Sequence, residues 1–260
     1  ARISSNNISG LVEVTGWDRK EVRITGWLDD EIEELRVEGD AQDLEIEVKY
    51  PRRSGGFHVD AELEIKVPAG CELHASTVNA DIDVTGLTGE VTLTTVNGDI
   101  DIEGRPTKLS LQSVSGDFAL DIDSPRAEIS TVSGDLDISG TCKRLRLESV
   151  SGDIDVTAGP LRELEANTVS GDIEFAGTLE EDADVELNSQ SGTIVFYMPE
   201  GFGAEFSVNT FSGDIDSEFG DRPERKSRFV PGEELEFETG SGQGSVDINT
   251  FSGDVEVLKP

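Results

Sequence analysis

The chain has 260 residues, and 35% of them are apolar, which is enough to build the core of one large or two small domains. Only 21 Lys and Arg accompany 55 Asp and Glu, so the formal net charge is -34 at pH 7. This charge opposes binding to nucleic acid, anionic membrane surfaces and acidic polysaccharides, and it favours cations and basic partners.

Residues 1–76 are predicted to form capping strands. Side chains alternate between apolar and polar in EVRITGW, LEIEVKY and AELEIKVP, which is typical of strands. A degenerate copy of the motif described next, SGLVEV, spans Ser9–Val14. No run of about 18 apolar residues occurs, so no membrane insertion by this chain is expected.

Residues 77–216 repeat one short motif, seen as TVNGDIDI, TVSGDLDI and SVSGDIDV. Its central aspartate recurs at a constant interval, at Asp81, Asp99, Asp117, Asp135 and Asp153. The spacing then loosens to Asp172, Thr193 and Asp214, and a last copy is centred on Asp254. Repetition with this period predicts a solenoid of stacked coils.

The positions around the aspartate predict which side chains point inward. Apolar residues recur eight and six positions before it, and again one and three positions after it, as in Leu145, Leu147, Ile154 and Val156. Valine or phenylalanine stands three positions before it and is also expected inside. Since these sets differ in parity, the strand is predicted to turn between positions -6 and -3, where Thr or Ser recurs.

These columns predict an all-β, single-stranded parallel β-helix with about 18–21 residues per coil and no helix of consequence. Residues 217–245 contain the sequence GDRPERKSRFVPGEE and are predicted to form a projecting loop and an irregular strand. Residues 246–260 are predicted to form the final coil. The whole chain is expected to be one structural domain.

Three sequence features resemble the putative-adhesin β-helix family of bacterial and archaeal envelope proteins, a domain of unknown function. They are the repeated T/S-V-S/N-G-D-I-D-V motif, GWDRKEV at Gly16–Val22, and the VPAG turn at Val67–Gly70. The resemblance covers nearly the whole chain. It implies a right-handed β-helix located outside the cytoplasm, and it supplies no catalytic residues.

Outward-facing aspartates are the first candidate binding surface. Stacked carboxylates about 4.8 Å apart repel one another and attract cations. Diffuse counterions on a solvated face are the favoured interpretation, and a row of Ca²⁺ sites is the alternative; no cofactor is expected. The candidate acidic residues are Asp99, Asp101, Asp117, Asp135, Asp137, Asp153 and Asp155.

A basic column is the second candidate surface. Nine residues after successive aspartates come Lys108, Arg126, Arg144 and Arg162. Charge pairing with outward glutamates is favoured over contact with an anion or acidic glycan. The two cysteines, Cys71 and Cys142, belong to copies four coils apart and are therefore predicted to be free thiols.

The leading hypothesis is a non-enzymatic, extracytoplasmic protein that is periplasmic, secreted or on the cell surface and acts as an adhesin-like or scaffold surface. The alternative is a cation-dependent module that recognises a cell-surface glycan or a basic protein through stacked aspartates. A polysaccharide-active hydrolase is the third possibility, which the acidic charge disfavours.

Overall fold

The computed structural model describes residues 1–51, 59–220, 222–227 and 230–260. These residues form strands and turns without a helix, and most strand pairs are parallel, which confirms the predicted all-β class with parallel strands. The chain divides into two compact units, Ala1–Pro125 and Arg126–Pro260. A single domain with boundaries after residues 76, 216 and 245 stays a prediction.

The strands of the first unit follow the alternation of apolar and polar residues. They are β1 (Arg2–Asn6), β2 (Ser9–Trp17), β3 (Arg23–Leu28), β4 (Glu34–Gly39), β5 (Asp43–Lys49), β6 (Ala61–Pro68), β7 (Glu72–Ser76), β8 (Asn79–Thr85), β9 (Glu90–Thr94), β10 (Ile100–Gly104), β11 (Lys108–Gln112) and the beginning of β12 (Phe118–Ser130).

In the first unit the strands do not stack in chain order. One parallel series runs β5, β1, β7, β9, β11, and another runs β6, β2, β8, β10, β12. The N-terminal strands β1 and β2 therefore lie between strands that come later in the sequence. Strands β4 and β3 pair antiparallel with β5 and β6, and so cover an edge that would otherwise leave its backbone unpaired.

The second unit contains the remaining strands. They are β13 (Leu136–Ser151), β14 (Ile154–Val156), β15 (Leu161–Ser170), β16 (Ile173–Phe175), β17 (Leu179–Ser191), β18 (Ile194–Tyr197), β19 (Ala204–Ser212), β20 (Ile215–Ser217), β21 (Glu224–Ser227), β22 (Val230–Glu238), β23 (Gly244–Ser252) and β24 (Val255–Leu258).

The C-terminal strands are also inserted out of order. The parallel series are β13, β15, β17, β23, β19 and β13, β14, β16, β18, β24, β20, so β23 and β24 lie between strands that precede them in the chain. Strand β22 pairs antiparallel with both β19 and β21. The segment 217–245 thus contains β21 and β22. Residues 221, 228 and 229 of this segment lie outside the described residues.

The core of each unit includes the apolar residues predicted at positions -8, -6, +1 and +3. In the second unit Leu145, Leu147, Ile154 and Val156 are all at most 1% exposed. Registers align these columns, since Leu145 is paired with Leu164 and Leu164 with Val185. At these positions the alternation of apolar and polar residues therefore predicts correctly which side chains are buried.

The prediction that position -3 points inward is wrong. Val132, Val150 and Val169 are 43 to 47% exposed, and the equivalent valines of the first unit, Val78, Val96 and Val114, are 39 to 48% exposed. The residue at position -4 is buried instead, as for Ser149 at 5%. The inward alternation continues through the small hydroxyl side chain, and the turn comes after it rather than before it.

The glycine before the central aspartate of the regular copies explains why the turn falls there. Gly152 has φ +145°, and a Cβ at this position would lie 2.1 Å from the carbonyl oxygen of Gly134. Gly116 in the first unit has φ +142°, with a Cβ position 2.1 Å from the Gly98 oxygen. Only glycine allows both this backbone conformation and this close approach of successive copies.

Candidate functional site

The central aspartates of the second unit form a ladder of side chain to backbone hydrogen bonds. Asp135 Oδ1 accepts the N–H of Asp153 at 2.9 Å, and Asp153 Oδ1 accepts the N–H of Asp172 at 2.8 Å. Asp254 Oδ1 accepts the N–H of Asp214 at 2.9 Å. These carboxylates therefore hold neighbouring copies together and remain on the outside of the unit.

The first unit repeats the same geometry. Asp81 Oδ1 accepts the N–H of Asp99 at 3.0 Å, and Asp99 Oδ1 accepts the N–H of Asp117 at 2.9 Å. The N–H of Asp81 has no counterpart carboxylate in the copy beside it, because Leu11 occupies that register position. The central aspartates thus have the same structural role in both units.

A second acidic row follows two residues later. Asp83 is paired in register with Asp101 in the first unit, and Asp137 with Asp155 in the second. Partial burial and then the neighbouring carboxylate raise the pKa of Asp83 and of Asp155 above the ordinary aspartate value. Burial is the larger cause, and the like charge of the neighbouring carboxylate adds to it; this second contribution is the one that a nearby cation would relieve.

The possible metal ligands and the two cysteine thiols show what other chemistry the described residues could support. In the described part of the chain, no group of three or more His, Cys, Asp or Glu side chains is placed to hold a metal ion. Cys71 and Cys142 are free, as predicted, and both are buried. Burial raises the pKa of the Cys142 thiol to about 11, which leaves it a poor nucleophile at neutral pH.

An exposed apolar row lies three residues before the central aspartates. In the second unit it consists of Val132, Val150, Val169, Phe251 and Phe211, which we call the apolar row. The rings of Phe211 and Phe251 stack with centroids 4.8 Å apart and planes 6° apart, although they are 47% and 56% exposed. Sequence reasoning missed this surface because it placed these residues in the core.

An asparagine ladder was also missed. Asn188 Nδ2 donates to Asn167 Oδ1 at 2.9 Å, Asn249 Nδ2 to Asn188 Oδ1 at 3.2 Å, and Asn209 Nδ2 to Asn249 Oδ1 at 3.3 Å. The recurrence of Asn five positions before the central residue of these four copies was the available signal. The ladder follows the order β15, β17, β23, β19 and therefore supports the inserted position of β23.

Each residue of the predicted basic column makes an ion pair with a carboxylate. Lys108 Nζ lies 3.3 Å from Glu90 Oε1, Arg144 Nε 3.5 Å from Glu163 Oε2, and Arg162 2.9 Å from Asp182 Oδ2, while Arg126 pairs with Glu128. Arg144 is paired in register with Glu163, one residue beyond Arg162. The structure therefore does not align Arg144 with Arg162, and the use of the basic column as a binding surface stays a prediction.

Comparisons with known proteins identify a family. No curated protein matches the chain. A crystal structure of a putative cell adhesion protein from Clostridium sporogenes ATCC 15579 is similar at 13% identity and TM-score 0.30, over 100% of this chain and 93% of that chain. So weak a likeness carries no argument about fold or function.

The family model described as Toastrack DUF4097 matches residues 2–258, which is nearly the whole chain. This match confirms the predicted resemblance to a repeated β family of unknown function. The chain belongs to the Toastrack DUF4097 family.

Proposed function

We propose that the chain is a non-enzymatic, extracytoplasmic protein whose repeated β faces act as an adhesin-like or scaffold surface. The observation that carries the proposal is that the central carboxylates are structural. Asp153 Oδ1, for example, accepts a hydrogen bond from the backbone N–H of Asp172 in the adjacent copy. The repeated residues therefore build the frame, and they leave rows of similar side chains on the outside. Rows of this kind suit recognition by a long partner segment that contacts several copies at once.

The fold within this proposal is a right-handed solenoid with about 18–21 residues per coil. Register offsets support the coil length, since Ile82 is paired with Ile100 and Ile100 with Phe118, the same interval as between successive aspartates of the regular copies. The interval between Leu164 and its partner Val185 is three residues longer. Parallel crossovers favour the right hand in general.

Location is the first part of the proposal to test. Intact cells of the organism that encodes the chain would be treated with a membrane-impermeant amine reagent, which can reach exposed lysines such as Lys143. Labelling before lysis is expected, with a cytosolic enzyme as the unlabelled control. Labelling of the chain only after lysis would contradict an extracytoplasmic location.

Among the described residues there is no helix with the length and apolar character needed to cross a bilayer.

A cation-dependent module that binds a glycan or basic protein is the second candidate. The register pairing of Asp83 with Asp101 and of Asp137 with Asp155 favours it, because a bound cation would relieve the repulsion between these stacked carboxylates. Specific Ca²⁺ sites would raise the melting temperature more than the same concentration of Mg²⁺, and EDTA would reverse the difference. Equal effects of the two ions would favour diffuse counterions.

A further inference from the structure

We propose that the apolar row of the second unit binds an amphipathic helix of a partner protein, with Lys or Arg side chains beside the apolar face of that helix. This inference rests on the proposed function, since it names the partner that the repeated surface would hold. Three properties of the row favour such a partner: its exposure, the acidic residues that follow it, and the spacing of its members.

Exposure of the row is the first step of the argument. All five residues of the row are large apolar side chains, and each is at least 43% exposed. Isolated apolar residues on a surface need no explanation, but five aligned apolar side chains with a stacked phenylalanine pair do. Gln190 interrupts the row between Val169 and Phe251. Aromatic side chains such as Phe211 and Phe251 are the usual anchors of protein interfaces.

Charge is the second step. Three residues after each member of the row comes a central aspartate, and these form the acidic row: Asp135, Asp153, Asp172, Asp254 and Asp214. Hydrogen bonds to backbone N–H groups keep carboxylates such as Asp153 in fixed positions beside the apolar row. A partner that covers the apolar row must bring positive charge to meet the acidic row, because an acidic or neutral partner would leave those carboxylates without compensation.

Spacing is the third step, and it favours a helix over an extended segment. Adjacent strands of a sheet are about 4.8 Å apart, so successive positions of the row occur at about this interval, with Gln190 at the position between Val169 and Phe251. A helix presents one turn about every 5.4 Å, whereas alternate residues of a strand are about 6.7 Å apart. The six strand positions from Val132 to Phe211, including Gln190, span about 24 Å, which is the length of a helix of about 16 residues.

The test uses the full chain and synthetic helical peptides of about 16 residues as probes. The first peptide has Leu once per turn and Lys on the flanking positions. The second replaces Lys by Glu, and the third replaces Leu by Ala. Fluorescence anisotropy at physiological salt is expected to detect binding of the Leu/Lys peptide, with the Leu/Glu and Ala/Lys peptides at least about ten-fold weaker.

Two matched sets of variants separate the apolar and acidic contributions. Phe211→Gln with Phe251→Gln leaves the net charge unchanged and is expected to weaken binding at least about ten-fold. Asp153→Asn with Asp172→Asn keeps an oxygen acceptor for the backbone and is also expected to weaken binding. Its control, Asp184→Asn with Glu205→Gln, removes two exposed charges away from the acidic row, and should change the affinity less than about two-fold.

Several results would overturn the inference. They are no binding of the Leu/Lys peptide, equal binding of the Leu/Glu peptide, or unchanged affinity in the double phenylalanine variant. If light scattering instead shows a dimer that this variant abolishes, the row binds a second copy of the chain and the inference is wrong. Surface labelling of intact cells is independent of all these outcomes, so failure of the inference and failure of the proposed function are distinguishable.

Discussion

Asp153 provides the most direct test of whether the repeated aspartate is structural. Its Oδ1 accepts the N–H of Asp172 at 2.8 Å, and its own N–H donates to Asp135 Oδ1 at 2.9 Å. Asp153→Asn keeps an acceptor oxygen, whereas Asp153→Ala removes it. Both variants remove the same negative charge, so the difference between them reports the hydrogen bond.

The expected magnitude follows from two opposing effects. Loss of the hydrogen bond costs about 1 kcal/mol. Removing the charge relieves repulsion from the two neighbouring carboxylates, which is about 0.9 kcal/mol for each at a spacing of about 4.8 Å in water. Repulsion contributes equally to both variants and is screened at about 1 M salt, where the Debye length is about 3 Å.

We therefore expect Asp153→Ala to be about 1 kcal/mol less stable than Asp153→Asn, at low and at high salt alike. Urea titration followed by circular dichroism measures the free energy of unfolding of both variants, and the difference in melting temperature should be about 2 to 4 °C. Equal stabilities would refute a structural role for the carboxylate. Because both variants lack the charge, a difference that vanishes at high salt would also contradict its assignment to the hydrogen bond.

Three further predictions test other parts of the fold. Gly152→Ala should lower the free energy of unfolding by more than about 2 kcal/mol in a urea titration, because its Cβ would overlap backbone of the adjacent copy and because φ is +145°; a loss under about 0.5 kcal/mol would contradict the close approach. Burial and neighbouring carboxylates raise the pKa of Asp155, so its carboxyl group binds a proton more tightly in the folded than in the unfolded state. The free energy of unfolding therefore falls as pH rises from 3.8 through the raised pKa. Asp155→Asn should therefore raise the melting temperature at pH 7 and lose this advantage below pH 3.8, whereas an advantage independent of pH would refute the reasoning. Cysteines replacing Asn188 and Asn249 should form a disulfide under mild oxidation, because these two residues are paired in register. Cysteines replacing Asn188 and Asn209 should not, because β23 lies between their strands. The reverse result would exclude the inserted position of β23.

Much of the fold could be predicted because each copy repeats the same local information. Alternation of side chains in segments such as Leu145–Leu147 identifies strands, and equal spacing of the copies indicates that like residues stack. Positions one and three after the aspartate were assigned correctly for the same reason, as Ile154 and Val156 are buried. These features depend on residues close together in the sequence.

The orientation of Val150 could not be read from its residue type. A β-branched apolar residue in a strand is usually placed in the core, and a serine at a turn is usually placed outside. Here Ser149 is 5% exposed and Val150 is 47% exposed. The glycine and aspartate that follow require a turn in which close backbone approach decides which side chains fit inside.

The order of the strands depends on contacts that local patterns do not encode. Like positions recur in every copy, so the pattern alone fits several stacking orders equally well. One signal was present: Asn209–Asp214 and Asn249–Asp254 have the same sequence, NTFSGD, and these two segments are neighbours in β19 and β23. The stacked rings of Phe211 and Phe251 give this identity a physical reason.

The outward direction of the apolar row is the claim on which the proposed binding surface depends, and thiol labelling tests it most directly. Ser149→Cys and Val150→Cys differ by one position in the chain, and the native thiols of Cys71 and Cys142 are buried, so the background is low. We expect Val150→Cys to react in the folded protein almost as fast as in urea. Ser149→Cys should be protected about 100-fold or more under native conditions. Rapid labelling of Ser149→Cys together with protection of Val150→Cys would contradict the account.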